Sequence, residues 1–410
     1  MFSKFSLEFW SSNLKIIFRF SFVFILLFIV FFNNDTFPLF TEIIKPVINL
    51  MHIFTPWVAK NILNYQYDYT IFTNGSSDTS YSWITLLINL NISILSTILW
   101  TFLDVKRTNY NALYYYLSVV IRYYIALMLI KYGLFKLYHI QMLPPGLTRL
   151  MTPLNEFSPM GLAWTFFGYS KGYNIFMGII EICSALLLIR KFIALGAVIT
   201  LIVSLNIMSI NYFYDVPVKI ISTSLFLFST FLLIPYAKSL IDLFLGKQAQ
   251  FPVMARFKYR FSLNTILFCK AGIIIIIFTI YTVIDIKEVQ KSLAKVLEKS
   301  PLYGIYQIHW NYESQQLIPH DWAIIVFEYQ NRATVRNKFS NNHNEKVYID
   351  TIIQDITINN IKFNYEKTER GDILLYYNKT AKVKLLKQNH ESFELMSGNF
   401  HWIQDFSNNF

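Results

Sequence analysis

The sequence predicts a polytopic α-helical membrane protein followed by a small antiparallel β domain. Three observations carry this. Of 410 residues, 54% are hydrophobic and 18% aromatic against only 15% charged, and the mean hydropathy is positive, far from the balance of an ordinary soluble chain. The apolar residues gather into seven runs, 14–32, 83–103, 117–138, 173–189, 192–213, 217–235 and 264–284, each long enough to cross a bilayer core. Beyond about residue 300 the runs stop, and short alternating segments bounded by turn residues replace them.

Charge orders the apolar runs. The net charge is +11, but residues 285–410 hold 15 Lys/Arg and 15 Asp/Glu, so the excess lies in 1–284, where 21 basic residues face 10 acidic ones. Those basic residues flank the runs, which argues for membrane orientation and excludes nucleic acid as the partner. Lys4, Lys15 and Arg19 precede or open the first run, and Lys106 and Arg107 follow the second. Arg190 and Lys191 join the fourth to the fifth, while Lys238, Lys247, Arg256, Lys258 and Arg260 lie between the sixth and seventh. With seven spans this pattern predicts a cytoplasmic N-terminus and an exported C-terminal domain. Lys270 is close enough to a cytoplasmic end to snorkel, and Arg122 reads as an anchor there. Phe31-Phe32-Asn33-Asn34-Asp35 lacks small residues at a cleavage position, so the first span reads as an uncleaved anchor.

Residues 37–63 are apolar but broken by Pro38, Pro46 and Pro56, and carry Glu42, Lys45, His52 and Lys60, which predicts helices lying at the outer interface. Residues 64–82, with Asn74-Gly75-Ser76-Ser77-Asp78, read as an exposed loop. In 141–172, Pro144-Pro145-Gly146, Pro153 and Pro159 interrupt a stretch that includes Leu162, Trp164, Phe166 and Phe167. A short helix across the outer mouth of the bundle reconciles these features. Residues 287–299 read as an amphipathic connector stopped at Ser300-Pro301. Strands are expected at 305–310, 322–329, 356–365, 373–377 and 381–387, forming a sandwich or barrel, with a turn at Arg370-Gly371-Asp372. Cys183 and Cys269 sit singly inside apolar runs and read as small packing residues. The seven histidines show no metal-ligand spacing, and no nucleotide loop, nucleophile triad or haem motif is visible.

The chemistry concentrates in the third to sixth spans. A charge within hydrocarbon costs roughly 2.5–3.5 kcal/mol, so ionisable groups there are functional candidates. Tyr124, Lys131 and Tyr138 recur every seven residues on one face of the third span. Lys131 and Glu181 lie at comparable depth, which predicts an ion pair, and Gly178, Glu181 and Ala185 form a stripe that lets helix backbones approach. Asn206 and Ser209 share a face of the fifth span. Asn211-Tyr212-Phe213-Tyr214-Asp215-Val216-Pro217-Val218-Lys219 then turns into the sixth, where Pro217 suits the first helical turn and Asp215 its positive dipole end. Lys219, Ser222 and Thr223 continue as a polar stripe. Lys136 and Lys219 read either as snorkelling to the interface or as ligand donors, and Tyr212, Tyr214 and Trp164 as an aromatic belt or as pocket walls. The candidate ligand-binding or proton-handling residues are therefore Lys131, Glu181, Asn206, Asp215, Lys219, Lys136, Trp164 and Tyr212, with no catalytic residue assigned.

Lys131-Tyr132-Gly133-Leu134-Phe135-Lys136 within 122–137, Ser158-Pro159-Met160-Gly161-Leu162 with Trp164, Phe167-Gly168-Tyr169-Ser170, Glu181, Asn206 and Tyr214-Asp215-Val216-Pro217-Val218-Lys219 together resemble the DoxX-like membrane proteins. The resemblance spans about 115–240, and Gly398-Asn399-Phe400-His401-Trp402-Ile403-Gln404 is similar to the ending of the long forms of that family. It implies a DoxX-like four-helix bundle at 115–240, preceded by transmembrane and interfacial helices at 1–114. A seventh span and connector at 241–299 and an exported β-sandwich or barrel at 300–410 follow. It also implies a bacterial inner-membrane subunit working beside a membrane or periplasmic redox protein, with a bound quinone or lipid, while the sequence itself shows no cysteine pair and no cofactor motif. The other reading is a non-catalytic anchor or assembly protein that presents the β domain for docking. A lesser one is similarity to the helices-plus-β-domain arrangement of the vitamin K-dependent carboxylases, with Lys131 as base.

Overall fold

In a computed structural model of the chain the described residues are 9–37, 39–73, 78–251, 261–309, 318–319, 321–338, 342–358, 360–377 and 381–397. The side chains of 261–275, 381, 382, 394 and 397 lie outside that description, Cys269 and Lys270 among them. Lys4, Pro38, Asn74 to Ser77, Arg256, Lys258, Arg260 and the 398–404 motif also lie outside the described residues.

Six helical segments among the described residues are long and apolar enough to cross a membrane: Ser12–Phe31, Ser80–Leu103, Asn111–Leu137, Lys171–Leu188, Arg190–Phe213 and Lys219–Phe244. Local signals start them. Helix α1 (Ser12–Phe31) is capped by Ser11, whose Oγ accepts from the Leu14 amide, and α3 (Ser80–Leu103) by Thr79, whose Oγ1 accepts from Ser82. The expected outer-interface helices form one helix, α2 (Phe40–Asn61), with Pro46 and Pro56 inside it. Each proline removes a backbone hydrogen bond, yet Met51, Val58 and Ala59 pack along Ile84 and Ile88 of α3, and that continuous apolar contact keeps a single helix.

Helix α4 (Asn111–Leu137) is the axis of the remaining bundle. It packs against α7 (Lys171–Ile182), the 3₁₀ turn Cys183–Leu188 that extends α7, and α9 (Lys219–Leu233), while α8 (Ile193–Phe213) pairs with α9. Helix α1 closes the same core: Phe28 meets Phe228 edge-on at 5.4 Å, and the Tyr124 hydroxyl donates to the Phe32 carbonyl at 2.7 Å. Helices α4, α7, α8 and α9 of the expected span thus share one core with α1. Arg122, expected as an interfacial anchor, is buried and donates to the Leu187 carbonyl at 2.6 Å, satisfying an acceptor freed where α7 tightens into its 3₁₀ turn. Arg19 is likewise buried, held by the Tyr110 hydroxyl, Thr101 Oγ1 and the Asp104 carbonyl. Cys183, expected inside the packing, is exposed.

The chain divides into two compact units, Met1–Leu143 with Ser158–Lys287, and Pro144–Phe157 with Glu288–Phe410. In chain order α5 (Leu147–Leu150) belongs to the second, α6 (Pro159–Tyr169) and α10 (Ala237–Phe244) to the first. The expected seventh span falls in α11 (Phe261–Val296), a continuous 36-residue helix that also absorbs most of the expected connector.

The β unit is a closed eight-stranded antiparallel barrel in which every strand pairs with its sequence neighbour and β1 closes on β8. The strands are β1 (Lys299–His309), β2 (Trp322–Tyr329), β3 (Arg332–Asn337), β4 (Asn342–Asp350), β5 (Asp355–Ile358), β6 (Ile361–Lys367), β7 (Ile373–Tyr377) and β8 (Ala381–Gln388). The domain is a barrel, and Pro301 lies within β1 at an irregularity between Lys299 and Gly304, where a missing amide is tolerated. Strands β3 and β4 were not expected. Their inward residues, Ala333, Val335 and Val347, are too few among polar neighbours to stand out. The expected 356–365 strand is two, because Asn360 adopts φ +61° and Ile358 pairs with Ile361 across the turn. A last short helix, α12 (Glu394–Ser397), follows the barrel.

Residues 144–157, part of the 141–172 segment, pack on β1 to β3. Leu147 joins Ile305 and Val326 in one apolar cluster, Glu328 Oε2 accepts from the Thr148 amide at 3.0 Å, and Arg336 donates to the Met151 carbonyl at 2.6 Å. A Cβ at Gly146 would lie 1.7 Å from Glu328 Oε1, so any larger residue would displace the Glu328 carboxylate from its place beside the Thr148 amide. Burial and the neighbouring Glu328 carboxylate push the Tyr329 hydroxyl up to about 12. Glu328→Ala leaves the Thr148 amide without its acceptor, a loss of about 1–3 kcal/mol. Hydrogen exchange should quicken across 147–152 and stay unchanged in β5 to β7; equal protection in variant and parent would count against this anchoring.

Candidate functional site

The site starts from a backbone contact. A Cβ on Gly133 of α4 would fall 2.7 Å from the Gly178 carbonyl of α7, and one on Gly178 would fall 2.6 Å from the Gly133 carbonyl. The Ile182 side chain lies beside Gly133 and that of Leu137 beside Gly178, so the helices cross antiparallel in backbone contact with these two side chains packed at its edges. Lys136 and Glu181 each sit three residues beyond a crossing glycine, roughly 60° around the helix from it. They meet: Lys136 Nζ donates to Glu181 Oε2 at 2.8 Å and to Gln141 Oε1 at 3.0 Å. Their side chains are only 7% and 5% exposed, so the pair is buried in the bundle.

This corrects the expected Lys131–Glu181 pair. Lys131 lies roughly 160° from Gly133 around α4, facing away from α7. It pairs with Asp285 of α11 at 3.5 Å, with its Nζ 5.8 Å from the Phe135 ring. Lys136, for which snorkelling was one reading, is instead the buried partner of the carboxylate.

Two cavities meet at the pair. One, of about 280 Å³, is walled by α6, α7 and α8 through Trp164, Phe167, Phe176, Met177, Ile202, Val203 and Asn206. The other, of about 340 Å³, lies against α4 and α9 through Leu129, Tyr132, Met160, Val216, Ile221 and Leu225. Lys136, Gln141, Trp164, Glu181, Ile207 and Asn211 line both. Tyr132 is set by Asn34, which donates to its hydroxyl at 2.6 Å, and Asn211 by its own bond to the Val218 carbonyl at 3.2 Å. Helix α6 enters as the expected short helix: Ser158 caps it with Pro159 in its first turn, and Gly168 lets it lie against the Leu143 carbonyl.

Of the sequence candidates, the structure gathers Lys136, Glu181, Trp164 and Asn206 around the cavities. It leaves out Lys131, Asp215, Lys219 and Tyr212. Asp215, at φ +50° and with its carboxylate 81% exposed, binds Lys219 Nζ at 2.8 Å outside the cavity wall. The α9 N-terminus expected for Asp215 is capped by Asp78 instead, whose two carboxylate oxygens accept from the Lys219 and Ile220 amides at 2.6 and 3.0 Å. Tyr212 is half exposed and shares a hydrogen bond with Thr223 at 3.1 Å. Gln141, Asn211 and Tyr132 were missed as wall residues. Gln141 lies five positions past Lys136, just beyond the helix end, a spacing that carries no periodic signal. Among the described residues no group of three or more His, Cys, Asp or Glu is placed to hold a metal ion.

A buried pair broken on one side leaves an uncompensated charge. Glu181→Ala or Lys136→Ala should each cost about 3–5 kcal/mol, whereas Lys136→Met with Glu181→Met together should restore most of it. Gly178→Val should destabilise by at least about 1–3 kcal/mol through the backbone clash. Thermal unfolding in a mild detergent reads all four variants, and a double variant as unstable as the singles would contradict a simple ion pair.

No family model matches the chain, and no solved structure matches it. A stretch of 73 residues, 18% of the chain, is 49% identical to the uncharacterized protein YwoB of Bacillus subtilis (strain 168). That stretch covers 47% of YwoB, so the chain spans about half the length of the curated relative that it matches.

Proposed function

We propose that this chain is an integral membrane subunit of DoxX-like type whose bundle binds a lipid-soluble small molecule with a polar head, a quinone or a similar compound, and acts beside a redox partner. The observation that carries this reading is the pair of apolar cavities meeting at Lys136, Glu181, Gln141 and Asn211. Mostly apolar walls with a few convergent polar groups are what an amphipathic ligand requires. The charges of Lys136 and Glu181 cancel, so the site suits a neutral head rather than a phosphate or carboxylate. Glu181 and Gln141 use two of the three Lys136 ammonium hydrogens, leaving one for a carbonyl oxygen of the ligand. The Glu181 carboxylate suits a hydroxyl donor on the reduced form, so the pair is equipped to orient the head and hold a proton beside it.

In this reading the N-terminus is cytoplasmic, the site lies in the outer half of an inner membrane, and the barrel is exported, as the flanking basic residues favour. Mass spectrometry of lipid extracts from the purified protein should find a quinone-class molecule in stoichiometric amount. The Lys136→Met, Glu181→Met double variant should lose it while remaining folded. If the double variant keeps the molecule, or the parent carries none in a mild detergent, the ligand-binding reading fails and the barrel as a docking module takes its place.

A further inference from the structure

Arg19 and Arg122 are both buried, at 3% and 4% exposure, yet they are satisfied differently. All three nitrogens of Arg19 find acceptors in the Tyr110 hydroxyl, Thr101 Oγ1 and the Asp104 carbonyl, and the same tyrosine donates to the Asp104 carboxylate beside it. Arg122 donates from Nε alone, to the Leu187 carbonyl. A guanidinium carries five N–H groups, so the four on its terminal nitrogens have no acceptor among the described residues. The surroundings are basic and phenolic: Tyr123, Tyr236, Tyr115 and Arg190 are the ionisable groups near enough to act on Arg122, with no carboxylate among them. Tyr115 lies seven positions before Arg122, on the same face of α4 and about 10 Å along it, and the Arg190 guanidinium sits over the Tyr115 ring at 6.0 Å. None of the ion pairs among the described residues includes either arginine. Tyr236, in the 3₁₀ turn that joins α9 to α10, is 6% exposed, and its hydroxyl makes no hydrogen bond among the described residues. A buried cation with a second cation near it and no anion is costly, and an anion relieves both charges at once.

We propose that Arg122, Arg190 and Tyr236 form a binding site for a phosphate group, at the end of the bundle where α7 turns into α8. The two terminal nitrogens of Arg122 make a fork that matches two phosphate oxygens, and the Tyr236 hydroxyl is free to donate to a third. Arg190, exposed at the rim, supplies the second charge. Arg122 is fourteen residues from Lys136, roughly 21 Å along α4, so this site is separate from the cavities and independent of the ligand-binding reading above. The turn between α7 and α8 carries Arg190 and Lys191 between two segments able to cross a membrane, which sets it near the level of lipid headgroups. Basic pockets between spans at that level take phospholipid heads. The phosphate is thus that of an anionic phospholipid or a free phosphate ion reaching the same rim, and both present the same oxygens.

The test uses the full chain, freed of lipid in a mild detergent, with inorganic phosphate, dioleoylphosphatidylglycerol and dioleoylglycerol as probes, read by native mass spectrometry and melting temperature. The parent should hold one phosphatidylglycerol or one phosphate per chain and melt at a higher temperature with it, while dioleoylglycerol, which lacks the phosphate, does neither. Arg122→Lys keeps the charge but loses the fork, and should weaken binding by about tenfold or more. Arg190→Gln is an exposed change that leaves the fold intact, and should weaken it by about threefold to tenfold. Lys171→Gln removes an exposed cation at the other end of α7 and should leave binding within about twofold. Phosphatidylglycerol that stays bound against excess inorganic phosphate identifies the lipid as the source; phosphate bound without preference for the lipid identifies the free ion. Both results support the site. Absence of binding by either phosphate probe, equal binding of dioleoylglycerol, or equal weakening by Lys171→Gln would overturn it. So would Arg122→Lys lowering the melting temperature equally with and without probe while Arg190→Gln changes nothing, since Arg122 would then serve only the Leu187 carbonyl.

Discussion

The backbone contact between Gly133 and Gly178 is the constraint on which the rest of the bundle depends. Carbonyls there leave no room for even one methyl group, so α4 and α7 are held backbone against backbone. That closeness lets Lys136 span the crossing to Glu181 and bury both charges. Without it the charges would be too far apart to offset their desolvation, and each would cost several kcal/mol in a membrane interior. The same crossing puts Gln141 beside the pair, and the two cavities join there.

The supporting groups share one logic, in which a polar atom freed by an irregularity finds a partner from a distant part of the chain. Arg122 meets the Leu187 carbonyl where α7 tightens, Asp78 meets the first amides of α9, and Glu328 meets the Thr148 amide. Each contact joins segments over 60 residues apart in sequence. The third also changes the domain boundary: the chain leaves the helical unit after Leu143, contributes Pro144–Phe157 to the barrel unit, and returns at Ser158.

Much of the fold was legible because it rests on local pattern. Length and apolarity marked the six spans, Ser158-Pro159 marked the start of α6, and alternation marked β1, β2, β7 and β8. The β3 and β4 strands were not legible, since Ala333, Val335 and Val347 make too faint an alternation among charged neighbours. The site was half legible. Depth along the helix put Lys131 level with Glu181, yet Lys136 is the partner, because depth alone does not fix which way a residue faces. The row Tyr124, Lys131, Tyr138 held the answer in part, because Tyr124 turns to the Phe32 carbonyl at the end of α1, and a residue seven positions on shares that direction.

By itself the sequence determined a chain of apolar helices able to cross a membrane and ending in a β domain, and it drew attention to the charges of the third to sixth runs. Hydrophobic length, alternation and flanking charge are properties of neighbours along the chain, so they survive without coordinates. Tertiary structure alone decided that Lys136 is the partner of Glu181 while Lys131 goes to Asp285, that Asp78 rather than Asp215 caps α9, and that the β domain closes as an eight-stranded barrel with a borrowed segment packed on its outer face. Those outcomes depend on the azimuth of one helix against another and on which distant groups meet, and a lone sequence encodes neither as a local signal.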